Sequence, residues 1–176
     1  DGRGVSESVA PVDFPHANLP NRLGRMVGRE DDVLQLSSQL MMSRMVSIVG
    51  TGGVGKTTVA IAVAHNLSEA FGGAALFVDF GMLSDPNLVA PGVASMLGLA
   101  VGAGDVQTAL ITYLRDKRIL LILDTCEHLI EEVAALASGI VEAAPQVYIL
   151  ATSREALRIE GERVYRLDSL ACPPDD

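Results

Sequence analysis

The sequence has few of the features on which secreted and membrane-spanning proteins depend. Only Cys126 and Cys172 are cysteines among 176 residues, which excludes a disulfide-rich scaffold and offers no metal-binding spacing. No apolar run approaches the roughly 18 residues needed to cross a bilayer, and no signal peptide is visible. We therefore expect a cytoplasmic domain. Because the sequence does not begin with Met, we also expect it to be part of a longer protein.

Basic residues are scarce as well. Lysine and arginine total 13 against 22 acidic residues, giving a net charge of −9. This charge argues against a broad electrostatic surface for nucleic acid, so we expect no direct DNA contact from these residues. Local phosphate binding stays open, because one lysine and a few backbone amides suffice for it.

The apolar pattern predicts one α/β domain, at 21–170, between a linker at 1–20 and the start of another at 171–176. Strands are predicted at 45–49, 74–80, 119–123, 147–152 and 163–167, with helices near 30–40, 57–70, 106–115 and 128–143 and a kinked or late-starting one after Ser84-Asp85-Pro86. From the first strand on, the predicted order is β-α-β-α-α-β-α-β-α-β. This alternation predicts a three-layer sandwich, in which a parallel five-stranded sheet carries helices on both faces. In such sheets ligands bind beyond the carboxyl ends of the strands.

A phosphate-binding loop follows the first strand. Residues 50–57 read G-T-G-G-V-G-K-T and fit the pattern G-x-x-x-x-G-K-[ST] between a strand and a helix. Glycines let successive N–H groups point into one cavity, and the following helix adds its positive end. Lys56 is expected to reach the β- and γ-phosphates, Thr57 to place its hydroxyl on Mg²⁺, and Thr58 to lie near the α-phosphate. The predicted nucleotide contacts in this loop are Gly50, Gly52, Gly53, Val54, Gly55, Lys56, Thr57 and Thr58.

The same glycines permit a second interpretation. Gly50, Gly52 and Gly55 also satisfy G-x-G-x-x-G, the fingerprint of an NAD-binding domain, and Asp79 lies where a ribose-binding acid is expected. That interpretation leaves Lys56-Thr57 unexplained and needs no acid at Asp124. We favour the phosphate loop and keep the dinucleotide domain as an alternative.

Two later strands end in polar residues. The aliphatic run 119–123 ends at Asp124, which is expected to hold Mg²⁺ directly or through water. Arg154 follows the fourth strand, where a guanidinium can contact a γ-phosphate, although a surface arginine paired with Glu155 explains it equally well.

Hydrolysis also needs a group that orients water. Thr125 rather than an acid follows Asp124, so Glu127 is the nearest carboxylate candidate. The alternative role for Glu127 is structural, as an acid in the first turn of the next helix that interacts favourably with the helix dipole. The catalytic candidates are thus Lys56, Asp124, Glu127 and Arg154. No Asn/Thr-Lys-x-Asp segment is present, which favours adenine over guanine.

Several segments together resemble one family. They are Val27-Gly28-Arg29-Glu30, residues 123–128 (L-D-T-C-E-H), residues 151–155 (A-T-S-R-E) and residues 161–165 (G-E-R-V-Y). In combination they resemble the signal-transduction ATPases with numerous domains, related to NB-ARC domains, and above all the branch found in large bacterial transcriptional regulators. The resemblance spans about residues 19–173.

The resemblance implies a P-loop sheet in which the strand ending at Thr152 lies between the phosphate-loop strand and the strand ending at Asp124. Arg154 would then reach the γ-phosphate, and Val27, Gly28 and Arg29 would line the adenine site. It also implies a nucleotide switch, with ADP in a closed state and ATP in an open, often oligomeric state, and a DNA-binding domain elsewhere in the full protein. We expect the present residues alone to be monomeric, and the absence of a second acid at Thr125 predicts slow hydrolysis or a binding module without turnover.

Overall fold

The structure is a computed structural model that describes residues 19–21, 28–100 and 104–169. The predicted linker at 171–176 and the first 18 residues of the predicted linker at 1–20 lie outside the described residues, as does Val27. Among the residues described before the first helix, Leu19 packs against the core.

The described residues form five strands and five α-helices. The strands are β1 (Met45–Val49), β2 (Ala75–Asp79), β3 (Ile119–Asp124), β4 (Val147–Ser153) and β5 (Arg163–Arg166). The helices are α1 (Glu30–Ser43), α2 (Lys56–Leu67), α3 (Val89–Met96), α4 (Val106–Leu114) and α5 (Ile130–Ala143). Along the chain the order is α1-β1-α2-β2-α3-α4-β3-α5-β4-β5. Short 3₁₀ helices at Ser68–Phe71 and Pro86–Leu88 extend α2 and precede α3.

The five strands form one parallel sheet in the order β2-β3-β4-β1-β5. Every residue of β1 and β3 is buried, as expected for strands that are covered on both faces. Helices α1 and α2 pack on each other, and α3, α4 and α5 form a second packed group. The predicted three-layer α/β fold is confirmed, including the place of β4 between β1 and β3.

The sequence order β-α-β-α-α-β-α-β-α-β is wrong at one point. It includes a helix between the fourth and fifth strands, whereas residues 154–162, all of them described, form bends and a turn. Arg158 and Gly161 both adopt positive φ, at 62° and 85°. The Glu162 side chain accepts hydrogen bonds from two backbone N–H groups of the loop. These features replace helical hydrogen bonds with a compact loop.

The helix expected after Ser84-Asp85-Pro86 begins late, as one of the two predicted outcomes. Asp85 accepts the Asn87 N–H at 2.9 Å and caps the 3₁₀ turn, after which α3 begins at Val89. Pro91 is the third residue of α3, where a backbone N–H has no partner within the helix, so proline is tolerated there.

Candidate functional site

The loop between β1 and α2 is shaped by its last glycine and its lysine. Gly55 has φ +93°, a left-handed conformation that favours glycine, and α2 begins at the next residue. Lys56 Nζ donates to the carbonyl oxygens of Gly50 at 2.8 Å and Thr51 at 2.9 Å, so its ammonium lies across the loop. The first turn of α2 has no side-chain cap and no acidic residue. Its N–H groups are therefore available to an anion.

A buried carboxylate lies beside this loop. Asp124 ends β3 and is only 4% exposed. Its carboxylate accepts from Thr57 Oγ1 at 2.9 and 3.1 Å and from Thr152 Oγ1 at 2.6 Å. The two predicted metal ligands, Thr57 and Asp124, are thus in direct contact, although 67 residues separate them in the sequence.

The residue after Asp124 has an unusual backbone. Thr125 has φ +59°, which is rare for a β-branched residue, and its N–H donates to Thr152 Oγ1 at 2.9 Å. Its own hydroxyl donates to Asp124 Oδ2 at 3.2 Å. Such strain persists only where the surroundings hold it, and it is common at functional sites.

Arg154 leans over the phosphate loop from the end of β4. A Cβ atom added to Gly52 would lie 2.9 Å from Arg154 Nη2, so the guanidinium occupies the space that any other residue at this position would fill. Glycine at position 52 therefore permits the close approach of the arginine. Arg154 lies close to this loop because β4, which it follows, is the neighbour of β1 in the sheet.

These groups surround a cavity of about 410 Å³ beyond the carboxyl ends of the strands. It is lined by Gly52, Gly53, Gly55, Lys56, Thr57, Thr125, Glu127, His128, Thr152 and Arg154. Six of these residues from the predicted nucleotide and metal set lie at its wall, together with the catalytic candidate Glu127. The other predicted contacts of the loop, Gly50, Val54 and Thr58, and the acid Asp124 do not line it.

Sequence reasoning missed three residues of the cavity wall, Thr125, His128 and Thr152. The signal that could have indicated Thr152 is its place at the polar carboxyl end of a predicted strand, where ligands bind in parallel sheets. His128 carried no such signal, because no other ligand stands near it at metal spacing. Among the described residues, no group of three or more His, Cys, Asp or Glu side chains is placed to hold a metal ion.

Glu127 lies in the turn between β3 and α5. Helix α5 begins at Ile130 rather than at the predicted His128, so Glu127 is outside the first helical turn. Its side chain is half-buried and belongs to the cavity wall. Its neighbour Cys126 is fully buried, and burial, together with the nearby charges of Asp124 and Glu127, raises the pKa of the thiol well above its usual range.

Arg29 ties three separate parts of the fold together. It is 8% exposed, and its guanidinium donates to the carbonyls of Val54 at 2.9 Å and Asp168 at 2.7 Å and pairs with Asp32 at 3.2 Å. The neighbouring Gly28 N–H donates to Glu30 Oε2. The place of Gly28 and Arg29 in an adenine site stays a prediction, and Val27 lies outside the described residues.

Tyr165 of β5 completes this cluster by donating its hydroxyl to Asp32 Oδ1. Burial raises the pKa of Tyr165 to about 12, and the hydrogen bond to Asp32 and its charge act in the same direction. The phenol is thus held in its neutral, donating form.

We expect a pH-dependent stability difference between Tyr165→Phe and the unaltered chain. Tyrosine ionises near pH 10 in the unfolded chain but near 12 here, so its contribution is fully present below pH 10 and is lost as the pH rises to 12. Below pH 10 the variant should be less stable by about 1 kcal/mol, the worth of one hydrogen bond. Urea unfolding at pH 8 and pH 11 measures this; an equal difference at both values would contradict it, and Tyr113→Phe is the control.

Comparison with known proteins gives a family for this geometry. Residues 29–157 match the NB-ARC domain. The chain belongs to the NB-ARC family. The match covers most of the chain and includes the phosphate loop, Asp124 and Arg154.

The relatives of this NB-ARC domain include bacterial regulators. It is 38% identical over 133 residues to a protein of Mycobacterium tuberculosis named as a candidate HTH-type transcriptional regulator, covering 75% of this chain and 15% of the relative. It is 29% identical to the regulatory protein AfsR of Streptomyces griseus, covering 96% of this chain and 19% of that protein. The domain therefore spans less than a fifth of the length of these two relatives.

Solved structures show the same fold. A signal-transduction ATPase with numerous domains from Pyrococcus horikoshii, which carries a tetratricopeptide repeat sensor, matches with a TM-score of 0.60 and 18% identity, covering 92% of this chain and 26% of that one. Cdc6p from Pyrobaculum aerophilum matches with a TM-score of 0.64 and 15% identity, covering 89% and 49%. Among the described residues, no helix is long and apolar enough to cross a membrane.

Proposed function

We propose that this NB-ARC domain is the ATP/ADP-binding switch of a bacterial signalling or transcriptional regulator, with slow Mg²⁺-dependent ATP hydrolysis. One observation carries the proposal: the phosphate loop after β1 and the arginine after β4 line one cavity, and the buried acid at the end of the neighbouring β3 accepts a hydrogen bond from Thr57 of that cavity wall. The uncapped start of α2 and the ammonium of Lys56 supply positive potential on one wall. Arg154 supplies it from another.

The donor set at Asp124 fits Mg²⁺. This carboxylate is buried, no Lys or Arg among the described residues pairs with it, and its oxygens are met only by the hydroxyls of threonines. Mg²⁺ prefers oxygen ligands and is commonly held by one or two carboxylates together with waters and substrate phosphates. We propose that Asp124 and Thr57 hold it, where it would neutralise phosphate charge.

Arg154 is proposed to distinguish ATP from ADP. Its guanidinium already lies over Gly52, and it can extend a planar array of donors toward a terminal phosphate. Lys56 and the loop amides serve both nucleotides. A contact made only with the third phosphate stabilises the ATP state alone, and differential affinity is what a switch requires.

We propose slow turnover, with Glu127 as the group that orients water from the cavity wall. Thr125 stands where the resembling eukaryotic proteins have a second acid, so one carboxylate fewer is available for hydrolysis. A nucleotide-binding module that never turns over is the second candidate, and it shares every binding residue.

Calorimetry and a phosphate-release assay test the function. The chain should bind ADP and a non-hydrolysable ATP analogue in the presence of Mg²⁺, and NAD should not compete. Turnover should stay below the roughly 1–100 s⁻¹ of kinases. Binding of NAD, with no binding of ADP or the ATP analogue, would favour the dinucleotide alternative. Binding of ADP and the analogue with no phosphate release over hours would favour the module without turnover.

We expect Arg154→Ala to weaken binding of the ATP analogue by about 10- to 150-fold, the worth of one charge-assisted contact, and the lower end is expected because Arg154 is exposed. The affinity for ADP should change less than about twofold. Titration of both nucleotides measures the ratio, and Arg158→Ala, in the same loop but outside this cavity, is the control. Equal losses for both nucleotides would mean that Arg154 does not read the third phosphate.

The rest of the regulator is proposed from the relatives. The chain covers only 15% and 19% of the two regulators it resembles, so a domain at 21–170 would be a small part of a protein as long as they are. One of these relatives is named as an HTH-type regulator. We propose that DNA binding belongs to another part of the chain, that this domain acts in the cytoplasm, and that the full protein assembles with ATP. The net charge of −9 supports the absence of DNA contact here.

A further inference from the structure

We propose that Glu162 is a positioning residue for Arg154. Its carboxylate holds the loop between β4 and β5 against β1, the strand that leads into the phosphate loop. The inference rests on the proposed function, because it assigns a role to the segment that presents the arginine. Glu162 lies eight residues after Arg154 and does not line the cavity.

The Glu162 carboxylate accepts three hydrogen bonds. Oε2 accepts from Ser47 Oγ at 2.6 Å and from the Leu157 N–H at 2.8 Å, and Oε1 accepts from the Arg158 N–H at 2.9 Å. No lysine or arginine among the described residues forms an ion pair with it. Its charge is therefore met by hydrogen-bond donors of the fold rather than by a surface partner.

Two of these bonds stabilise the loop itself. Arg158 adopts φ +62°, which costs free energy for a residue with a side chain. Consecutive N–H groups, those of Leu157 and Arg158, converge on the carboxylate and compensate for that conformation. At the start of the loop, the Glu155 N–H donates to Ser153 Oγ. Both ends of the segment that begins with Arg154 are thus held.

The third bond ties the loop to the phosphate-loop strand. Ser47 is fully buried in β1, where it pairs with Ala151 of β4 on one side and Val164 of β5 on the other. The phosphate loop begins three residues later, at Gly50. Glu162 therefore connects the Arg154 segment to the strand that leads into the loop containing Gly52, over which the guanidinium lies.

Only a carboxylate meets this arrangement fully. Three donors converge on it, and an ionised carboxylate offers two acceptor oxygens and no competing N–H. A glutamine at 162 would keep one acceptor oxygen and point an NH₂ group at a donor. A charged acceptor also makes stronger hydrogen bonds than a neutral one, which favours a single fixed loop conformation.

The test compares Glu162→Ala and Glu162→Gln with Glu160→Ala, a matched control that removes an exposed carboxylate from the same loop. For each variant, calorimetry gives the affinity for ADP and for a non-hydrolysable ATP analogue with Mg²⁺. We expect Glu162→Ala to weaken binding of the ATP analogue by about 5- to 20-fold and to change the affinity for ADP by less than about twofold. The analogue affinity of Glu162→Gln should lie between those of Glu162→Ala and the unaltered chain. Glu160→Ala should change neither affinity. In addition, amide exchange at Leu157 and Arg158 should accelerate in both Glu162 variants while β1 and β4 stay protected.

The double variant Arg154→Ala/Glu162→Ala separates a positioning role from a general structural one. If Glu162 acts through Arg154, removing it should cost nothing further for the analogue once Arg154 is gone. Equal losses for both nucleotides, or full additivity in the double variant, would overturn the inference. If Arg154→Ala alone changes neither nucleotide, the proposed sensor role fails first, whereas an effect of Arg154→Ala with none from Glu162→Ala overturns only the positioning role. Glu162→Gln, which keeps the shape of the side chain, covers the case in which the alanine variant does not fold.

Discussion

Lys56→Ala is expected to remove most of the affinity for ADP and for ATP alike. The ammonium now lies across the loop on the Gly50 and Thr51 carbonyls, within the cavity wall. A phosphate bound there would lose its charge-assisted partner, which is worth about 1.5–3 kcal/mol or more, or at least roughly 10- to 150-fold in affinity. Calorimetry with both nucleotides measures the loss, which should be similar for the two because the lysine serves phosphates that both share.

Lys117→Ala is the matched control for this experiment. Lys117 pairs with Asp116 in the turn before β3 and does not line the cavity. Its removal takes away the same charge and should leave both affinities unchanged. Retention of near-normal affinity in Lys56→Ala would mean that the loop is a structural turn and would remove the basis of the proposed function.

Asp124→Asn is expected to abolish the contribution of Mg²⁺ to nucleotide binding. The carboxylate accepts from Thr57 and Thr152 and is the buried acid at the site, so an amide would keep its shape while losing its charge. Loss even of an outer partner of a metal site costs about 10- to 100-fold in metal affinity, and a direct ligand is expected to cost at least as much. Titration of ADP with Mg²⁺ and with EDTA should give different affinities for the unaltered chain and equal ones for the variant.

Asp79→Asn is the control that also tests the dinucleotide alternative. Asp79 ends β2 in register with Asp124 on β3, and its side chain accepts the Gly81 N–H. For a P-loop site this variant should leave ADP binding and its Mg²⁺ dependence intact. A persistent Mg²⁺ effect in Asp124→Asn, together with impaired binding in Asp79→Asn, would contradict the metal assignment.

Much of this protein could be predicted from local sequence. The aliphatic run that forms β3 and the largely β-branched β1 predict buried strands, because strands covered on both faces are nearly continuous hydrophobic runs. The loop from Gly50 to Thr57 predicts a phosphate-binding site, because glycines, a lysine and a threonine stand within eight consecutive positions in the pattern that such sites require. Such features depend on neighbours in the chain, so they survive without knowledge of the fold.

The residue pattern by itself left open which distant groups meet, and only the family resemblance implied the strand order that brings them together. The contact of Thr57 with Asp124 and the approach of Arg154 to Gly52 follow from the strand order, which the residue pattern does not specify because any parallel arrangement buries the same strands. The helix predicted between β4 and β5 failed for a related reason. Glu162 reaches back to the loop amides and across to buried Ser47, and a long-range acceptor of this kind leaves no periodic signal in the sequence.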